Sequence, residues 1–469
     1  MKPKVLAGLT LLLSAGCRVG PDFTPPKPAA MPSAWSGPAG TPRPATAQAG
    51  DLDEWWRLFG DPTLTELVQE GLKANLGLAS AEASLRQARA LRGVAVGGLW
   101  PTASASASAL RQGGPQYSSS GGGGNLFQAG LDASWELDLF GGGRRNVEAA
   151  SANVLAAAES LRDVRVSVAA EVALAYVQLR GYQQEIVTAR ANLEIQQHTV
   201  DITRRLHQVG FDSGLDMANA EATVAATEAQ IPVYETGARQ SIYALSVLLA
   251  REPGYLVDRL SPTGDLPPLP PRIPAGLPSD LLRRRPDIRQ AEAQLHNATA
   301  QIGVATAQLY PQFSLTGGVG MENSQASLLL HRASRSFFVG PAVSWPLFQG
   351  GAIISNIHAQ EALRDVSFIN YQQTVLTALQ DVENALVAFD QEQKHFRSLG
   401  HAVAADHRAV ELSLRLFHEG QTDFLSVITA QRTLFTDDST LTQSRESLAA
   451  DLIALYKALG GGWPASQEP

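Results

Sequence analysis

The sequence predicts a mainly α-helical protein that also carries a small membrane β-sheet, with the whole plan present twice in one chain. Three observations carry that expectation: an internal repeat, two uninterrupted helical runs, and four short segments of alternating polarity. Shifted by 210 residues, Ala81-Glu82-Ala83-Ser84-Leu85 falls on Ala291-Glu292-Ala293-Gln294-Leu295, and Trp100-Pro101 falls on Tyr310-Pro311. Arg205-Leu206 with Gly210, Leu215 and Ala220 likewise falls on Arg415-Leu416 with Gly420, Leu425 and Ala430. Between these blocks, Leu139-Phe140 with Gly142-Gly143 matches Leu347-Phe348 with Gly350-Gly351 at a shift of 208. A period this long marks a duplicated domain, not a solenoid unit. The 469 residues are therefore not three ordinary domains of ~150.

Residues 1–16 read as a secretory signal, with Lys2 and Lys4 ahead of an apolar run from Val5 to Leu13 and small residues before Cys17. Cys17 is the only cysteine and stands where a bacterial lipoprotein signal places its acylated residue, with Ser14 departing from the usual apolar position. Ordinary secretion with an incidental cysteine is the competing reading. Arg18, in place of the Asp that retains lipoproteins at the inner membrane, implies outer-membrane sorting. Residues 17–60 then form an extended, lipid-anchored tether, because eight prolines between 20 and 44 exclude helix and central strand.

The first repeat spans 61–260 and the second 279–459, joined by a connector, 261–278, with seven prolines, and followed by a tail, 460–469. Each repeat opens on a helix, 62–97 or 279–308, stopped by Pro101 or Pro311. Two short strands follow, then a very long helix. Residues 144–209 hold no Pro and a single Gly, Gly181; residues 352–419 hold no Pro and only Gly400. Unbroken, each run is roughly 100 Å long. Apolar steps of three and four (Leu161, Val164, Val168, Val172, Ala175, Leu179; Val375, Leu379, Val382, Leu386, Phe389) suit helices coiled against neighbours. A Gly-bearing turn, 210–214 or 420–424, leads into a returning helix of about 35 residues.

The strands alternate strictly. In 131–139, Leu131, Ala133, Trp135, Leu137 and Leu139 take one face, and Asp132, Ser134, Glu136 and Asp138 the other. Residues 102–109, 313–319 and 337–347 follow the same period of two. In a soluble sandwich the polar face is ordinary surface; in a membrane barrel the apolar face meets lipid and Asp132, Glu136 and Asp138 line a watery lumen. Long polar loops at 113–124 and 322–335, with Trp100, Trp135, Trp345, Tyr310, Phe140 and Phe348 at the strand ends, favour the barrel. Four strands leave two bare edges, so closure needs further chains. Two chains give eight strands and a filled interior; three give twelve and a passage.

Composition excludes several classes. A net charge of −8 argues against nucleic-acid binding. One cysteine permits neither a disulfide nor a cysteine-based zinc site, and no run of ~18 apolar residues beyond the signal spans a bilayer. His395, His401 and His407, six apart, lie off one helical face, and Gly121–Gly124 lack the Lys-Ser/Thr of a phosphate loop. Arg283–Arg285 suit phosphate, though a basic segment before Pro286 is more often structural. No catalytic, metal or cofactor site emerges. A passive export channel, a structural coiled-coil lipoprotein and a secreted enzyme remain, the last without a convergent polar site.

Four stretches resemble signatures of the TolC-like outer-membrane efflux lipoproteins. They are Trp55-Trp56-Arg57-Leu58-Phe59-Gly60-Asp61-Pro62, Trp135-Glu136-Leu137-Asp138-Leu139-Phe140-Gly141, Leu282-Arg283-Arg284-Arg285-Pro286-Asp287 and Tyr456-Lys457-Ala458-Leu459-Gly460-Gly461-Gly462-Trp463. The Val19-Gly20-Pro21-Asp22-Phe23 start is similar too. The resemblance implies a homotrimer whose protomers each give four strands to a shared twelve-stranded outer-membrane barrel, continued into a periplasmic α-helical barrel. It implies the exit duct of a tripartite pump, with a periplasmic adaptor and a resistance-nodulation-division transporter as partners. The outer-membrane duct of a type I secretion system is an alternative. It assigns adaptor contact to tips around Val209-Gly210 and Glu419-Gly420, and a periplasmic gate to Leu425 with Arg432. Where the family usually has an acid this chain has Thr429, so Asp216, beside Leu215, becomes the candidate for the gate's negative charge.

Overall fold

The structure, a computed structural model, describes residues 18–26, 32, 34–35, 52–113, 124–210, 213–270 and 280–464. Signal residues 1–16, Cys17 and parts of the tether, connector and tail lie outside them. In chain order the elements are α1 (Pro62–Ala74), α2 (Leu76–Gly97), β1 (Thr102–Gln112), β2 (Gly124–Leu137), α3 (Gly142–Gln208), α4 (Gly214–Leu248), α5 (Val257–Leu260), α6 (Leu281–Arg284), α7 (Pro286–Ala307), β3 (Gln312–Asn323), β4 (Arg335–Ser344), α8 (Ala352–His418) and α9 (Phe424–Ala458). Both ends of α2, α3 and α4 stand 210 residues from the ends of α7, α8 and α9. Trp135 and Trp345 share that offset, each donating its indole N–H to a backbone carbonyl, Leu99 O or Leu309 O, at 2.9 and 3.0 Å. The 208 shift is thus local to the Leu-Phe-x-Gly-Gly joints between strand and helix.

The long helices run 67 residues each without interruption, as the lack of proline predicts. The opening helices do not match the expectation of one piece. Each breaks at the same repeat position, Asn75 or Arg285, where the backbone is extended (ψ 129° and 119°). At Arg285 the cause is Pro286, whose ring disfavours a helical residue before it. At Asn75 it is the side chain, whose Oδ1 accepts from Gly77 N and Leu78 N and so caps α2. β2 ends at Leu137 and β4 at Ser344, short of the expected 139 and 347. Segment 322–335, expected as loop, adds strand to Asn323 and two 3₁₀ turns.

The chain divides into two compact units. The first (residues 1–27, 84–158, 290–373) contains the sheet, an antiparallel meander β1-β2-β3-β4. Register aligns Ala105, Leu131, Val319 and Phe337 across one face, and Ser104, Asp132, Gly318 and Phe338 across the other. Its helical part buries Ala149, Ala152, Ala298, Ala300 and Ile302, small enough for close helix approach.

The second unit (28–83, 159–289, 374–469) is helical. Its densest core is aromatic: Trp55 stacks on Tyr456 at 5.1 Å, with Trp56, Phe59 and Trp463 buried around them. Arg162 and Arg289 lie over the Trp463 ring, and Glu159 pairs with both. The basic segment is structural here, Arg284 pairing with Asp53, and Arg285 with Asp287 and Asp381.

The two copies end their returning helices in the same motif with different residues. At the end of α9, Gly460 (φ 71°) and Gly461 donate to Lys457 O and Tyr456 O; at the end of α4, Ala250 (φ 55°) and Arg251 donate to Val247 O and Ser246 O. Ala250 thus carries left-handed strain that its glycine counterpart avoids. Ala250→Gly is expected to raise unfolding stability by about 1 kcal/mol. Gly460→Ala is expected to lower it by at least as much, since its Cβ would stand 3.1 Å from Arg284 O. Urea midpoints at unchanged slope check both; a loss of stability in Ala250→Gly would refute the strain.

Candidate functional site

Three parts of the molecule carry the predicted functional residues: the sheet, the segment after Cys17, and the helical tips. On the sheet, Leu131, Val319, Phe337, Val339 and Val343 share one face and are all exposed, Phe337 at 82%. An apolar patch of that continuity belongs against lipid or protein. The opposite face presents Thr102, Ser104, Ser134, Thr316 and Ser314 with Asp132 and Glu136. Asp138, expected on this face, lies beyond the strand instead. Its carboxylate accepts from Gly143 N, Arg144 N and the Arg144 guanidinium, capping α3. Phe140 stacks on Tyr310 at 4.6 Å, adding to an aromatic margin with Trp100, Trp135 and Trp345 at one end of the sheet. Among the described residues, β1 and β4 have no strand neighbour on their outer sides.

The segment behind Cys17 is built into the first unit. Arg145, 1% exposed, donates to Val19 O, Gly20 O, Asp22 and Glu148 at 2.7–3.2 Å. Val19 N donates to Phe140 O, and Phe23 stacks at 4.3 Å on His296, whose Nε2 is 3.1 Å from Glu148. Gly20 (φ 84°) is packed so closely on the Gly303 backbone that a Cβ on Gly20 would collide with it, while a Cβ on Gly303 would collide with the Arg145 side chain. Burial pushes the Glu148 carboxyl up, but the hydrogen bonds from His296 and Arg145 and the Arg145 charge together hold it below its ordinary range. The sequence reading of this stretch as a tether missed the clamp; the signal was a buried arginine in the first turn of a helix, indistinguishable from a surface one.

At the tips, Gly210 (φ 82°) and Gly420 (φ 71°) end α3 and α8 with left-handed turns. Ser213 and Asp423 then cap α4 and α9 by accepting from Asp216 N and Ser426 N. Hydrogen bonds from Ser426 hold the Asp423 carboxyl below its usual value. Beneath the turns, Val200, Ala220, Phe424 and Ile428 form a small core, with Phe417 against Phe424 at 5.4 Å. Leu215 and Leu425, one residue into each returning helix, point away from it and are 69% and 64% exposed; Val209, Glu419 and Gly420 are exposed too.

The remaining gate candidates are tied locally. Asp216 accepts from the Ser213 hydroxyl at 2.6 Å, completing a cap. Thr429 donates its hydroxyl to Leu425 O on its own helix. Arg432 reaches across to Thr223 on α4 at 3.2 Å, and Gln431 donates to Thr199 on α3 at 2.6 Å. Gln431, Thr199 and Thr223 are all buried polar ties between helices that the sequence reading did not single out. Their pattern was visible only as polar residues inside apolar stripes.

With this geometry in view, the comparisons with known proteins have a definite meaning. The family described as "Outer membrane efflux protein" matches residues 67–251 and 277–461, two segments again offset by 210. Nodulation protein T of Rhizobium leguminosarum bv. viciae is 32% identical over 465 residues, covering 98% of this chain and 94% of that protein. The solvent efflux pump outer membrane protein SrpC of Pseudomonas putida is 32% identical over 479 residues, covering 100% of both. The solved outer-membrane channel OprN superposes with a TM-score of 0.88 at 36% identity, over 96% of this chain and all of that one. A bare-edged sheet with an exposed apolar face, paired with twice-written long helices, is the protomer plan these proteins share: the chain belongs to the outer membrane efflux protein family and is an outer-membrane efflux channel of TolC-like fold.

Proposed function

We propose that three copies of this chain close a twelve-stranded barrel and form the exit duct of a tripartite pump. A periplasmic adaptor meets the Val209-Gly210 and Glu419-Gly420 tips, and a resistance-nodulation-division transporter in the inner membrane supplies the energy. The observation that carries this reading is the sheet: its apolar face is exposed and, among the described residues, its outer edges have no strand partner. Lipid covers the apolar face but offers no partner to the open edges, and closure by identical copies pairs those edges. The duct holds no energy source and passes what the transporter delivers; the named cargoes of its relatives, solvent among them, are organic compounds.

Cys17 carries the acyl anchor, and the Arg145 clamp fixes the chain two residues beyond it, beside Phe140 at the aromatic margin of the sheet. Leu425 of each copy projects into the closed end of the duct, with Leu215 and Asp216 from the neighbouring returning helix lining it and Arg432 bracing α9 against α4. Thr429, bound to its own helix, contributes bulk and no charge.

The membrane-extracted protein is expected to migrate as a heat-modifiable trimer and to conduct in planar bilayers. A non-conducting monomer that stays soluble after deletion of residues 1–17 would end the channel reading. Leu425→Ala combined with Thr429→Ala should raise basal conductance severalfold, and an unchanged conductance removes both from the gate. Arg145→Ala leaves Glu148 without its buried partner, at a cost of about 3 kcal/mol. It should expose residues 18–26 to protease in the otherwise folded protein, as mass mapping of the fragments would register.

A further inference from the structure

Gly181 is the lone glycine in the proline-free run 144–209, and neither the turns nor the tips account for it. Its reason is on the facing helix. The Glu446 carboxyl of α9 lies flat on the α3 backbone at Gly181, so that a Cβ there would occupy the same space. One turn along α3 stands Glu185, 3% exposed. Glu185 Oε2 accepts from the Ser439 hydroxyl at 2.8 Å, while Oε1 is buried without a hydrogen-bond partner. Tyr234 of α4 and Gln443 of α9 stand beside Glu185, and Asp438 of α9 adds a further negative charge. On α8, Glu392 accepts from Ser444 and lies 3.1 Å from His395; burial first and the Glu392 charge second push the Asp451 carboxyl of α9 up. Among the described residues, no ion pair involves Glu185 or Glu446.

A buried carboxyl and a half-buried one, a helical turn apart at the same helix contact, resist both being charged without a counterion. The arrangement is also not inherited from the duplication. The positions 210 residues away from Gly181, Glu185 and Glu446 are Gln391, His395 and Thr236. A glycine cradle, a buried carboxylate oxygen without a hydrogen-bond partner and, among the described residues, no ion pair occur together at one of the two equivalent places.

We propose that Glu446, seated on Gly181 and facing Glu185, is a proton-binding site that fastens α9 to α3 when occupied and loosens the pair when the proton leaves. Loss of the proton puts a second, half-buried negative charge beside Glu185 and drives α9 away from α3. The site works near neutrality, because burial first and the Glu185 charge second push Glu446 up to about 7. The sign follows from the raised value. Stabilisation is complete below the ordinary glutamate range near 4.5 and is lost as pH rises to about 7. The same two helices run on to the tips, 27 residues from Gly181 to the end of α3, so a change of their packing reaches Leu425. That last consequence rests on the duct reading; the proton site itself does not.

The test uses the full-length protein in detergent, with thermal melting from pH 5 to 8.5 and infrared difference spectra. The wild type should lose melting temperature as pH rises from 5 to about 7, and its protonated-carboxyl band should vanish with a midpoint near 7. Glu446→Gln, an uncharged isostere, should flatten the melting profile, melt higher than wild type at pH 8 and lack that band. Glu185→Gln should keep the band and move its midpoint to lower pH by removing the facing charge. A wild type without a titrating band between pH 5 and 8.5, or a Glu446→Gln variant with the wild-type pH slope, would overturn the site. In bilayers, conductance should rise from pH 6 to pH 8 in wild type and stay level in Glu446→Gln. Absence of any conductance would count against the duct while leaving the melting and infrared results to decide the proton site.

Discussion

The unpaired backbone along β1 and β4 is the constraint on which the rest depends. Every N–H and C=O at membrane depth must find a partner within protein, and a four-stranded meander leaves two rows without one. Alternation then divides the strand residues: Leu131, Val319 and Phe337 toward the apolar solvent, Asp132 and Ser104 toward the polar one. The sheet is too small to be a membrane domain alone and too apolar to be a soluble one. Its Ala, Ser and Gly content keeps each row narrow, and aromatic rings gather at one margin, where Trp135 and Trp345 spend their N–H groups on the turns that precede β1 and β3.

The helical unit solves a different problem. Helices of 67 residues cannot each find a private core, so they share stripes of Ala, Val and Leu, and their specificity comes from polar ties set into those stripes. Thr199 with Gln431, Thr223 with Arg432 and Glu185 with Ser439 each bind helices distant in sequence. A buried polar group that finds its partner in only one register excludes neighbouring registers, which a smooth apolar stripe does not. The same logic sets the ends: Gly420 and Gly460 reverse the chain, Asp423 and Ser213 restart it, and Phe424 seals the turn from within while Leu425 is left outside.

Buried charge marks where the molecule does more than pack. Arg145 is enclosed but fully engaged, and it turns the first described residues of the chain into part of the fold. Glu159 is enclosed between Arg162 and Arg289 above an indole ring. Glu446 differs from both: half-buried near Glu185, it has no ion-pair partner among the described residues, and that is the basis of the proton site proposed for it.

The sequence by itself determined the duplication, the two unbroken helices, the turns and the alternating strands. These follow from local rules: proline and glycine punctuation, a period of 3.5 or two, and a residue pattern repeated at 210. It also marked the tips, since Gly210, Gly420, Ser213 and Asp423 are local signals. Tertiary structure alone decided that the helix from 62 breaks at Asn75, that Asp138 caps α3 instead of lining a strand, that residues 18–23 are clamped, and that Gly181 makes room for Glu446. Each of these is a pairing between side chain and backbone fixed by how elements pack. Asn75 reads like any turn residue, Asp138 continues the strand alternation by one step, and Gly181 and Glu446 are 265 positions apart. Periodicity records which face a residue takes; it does not record which residue on another helix meets it there.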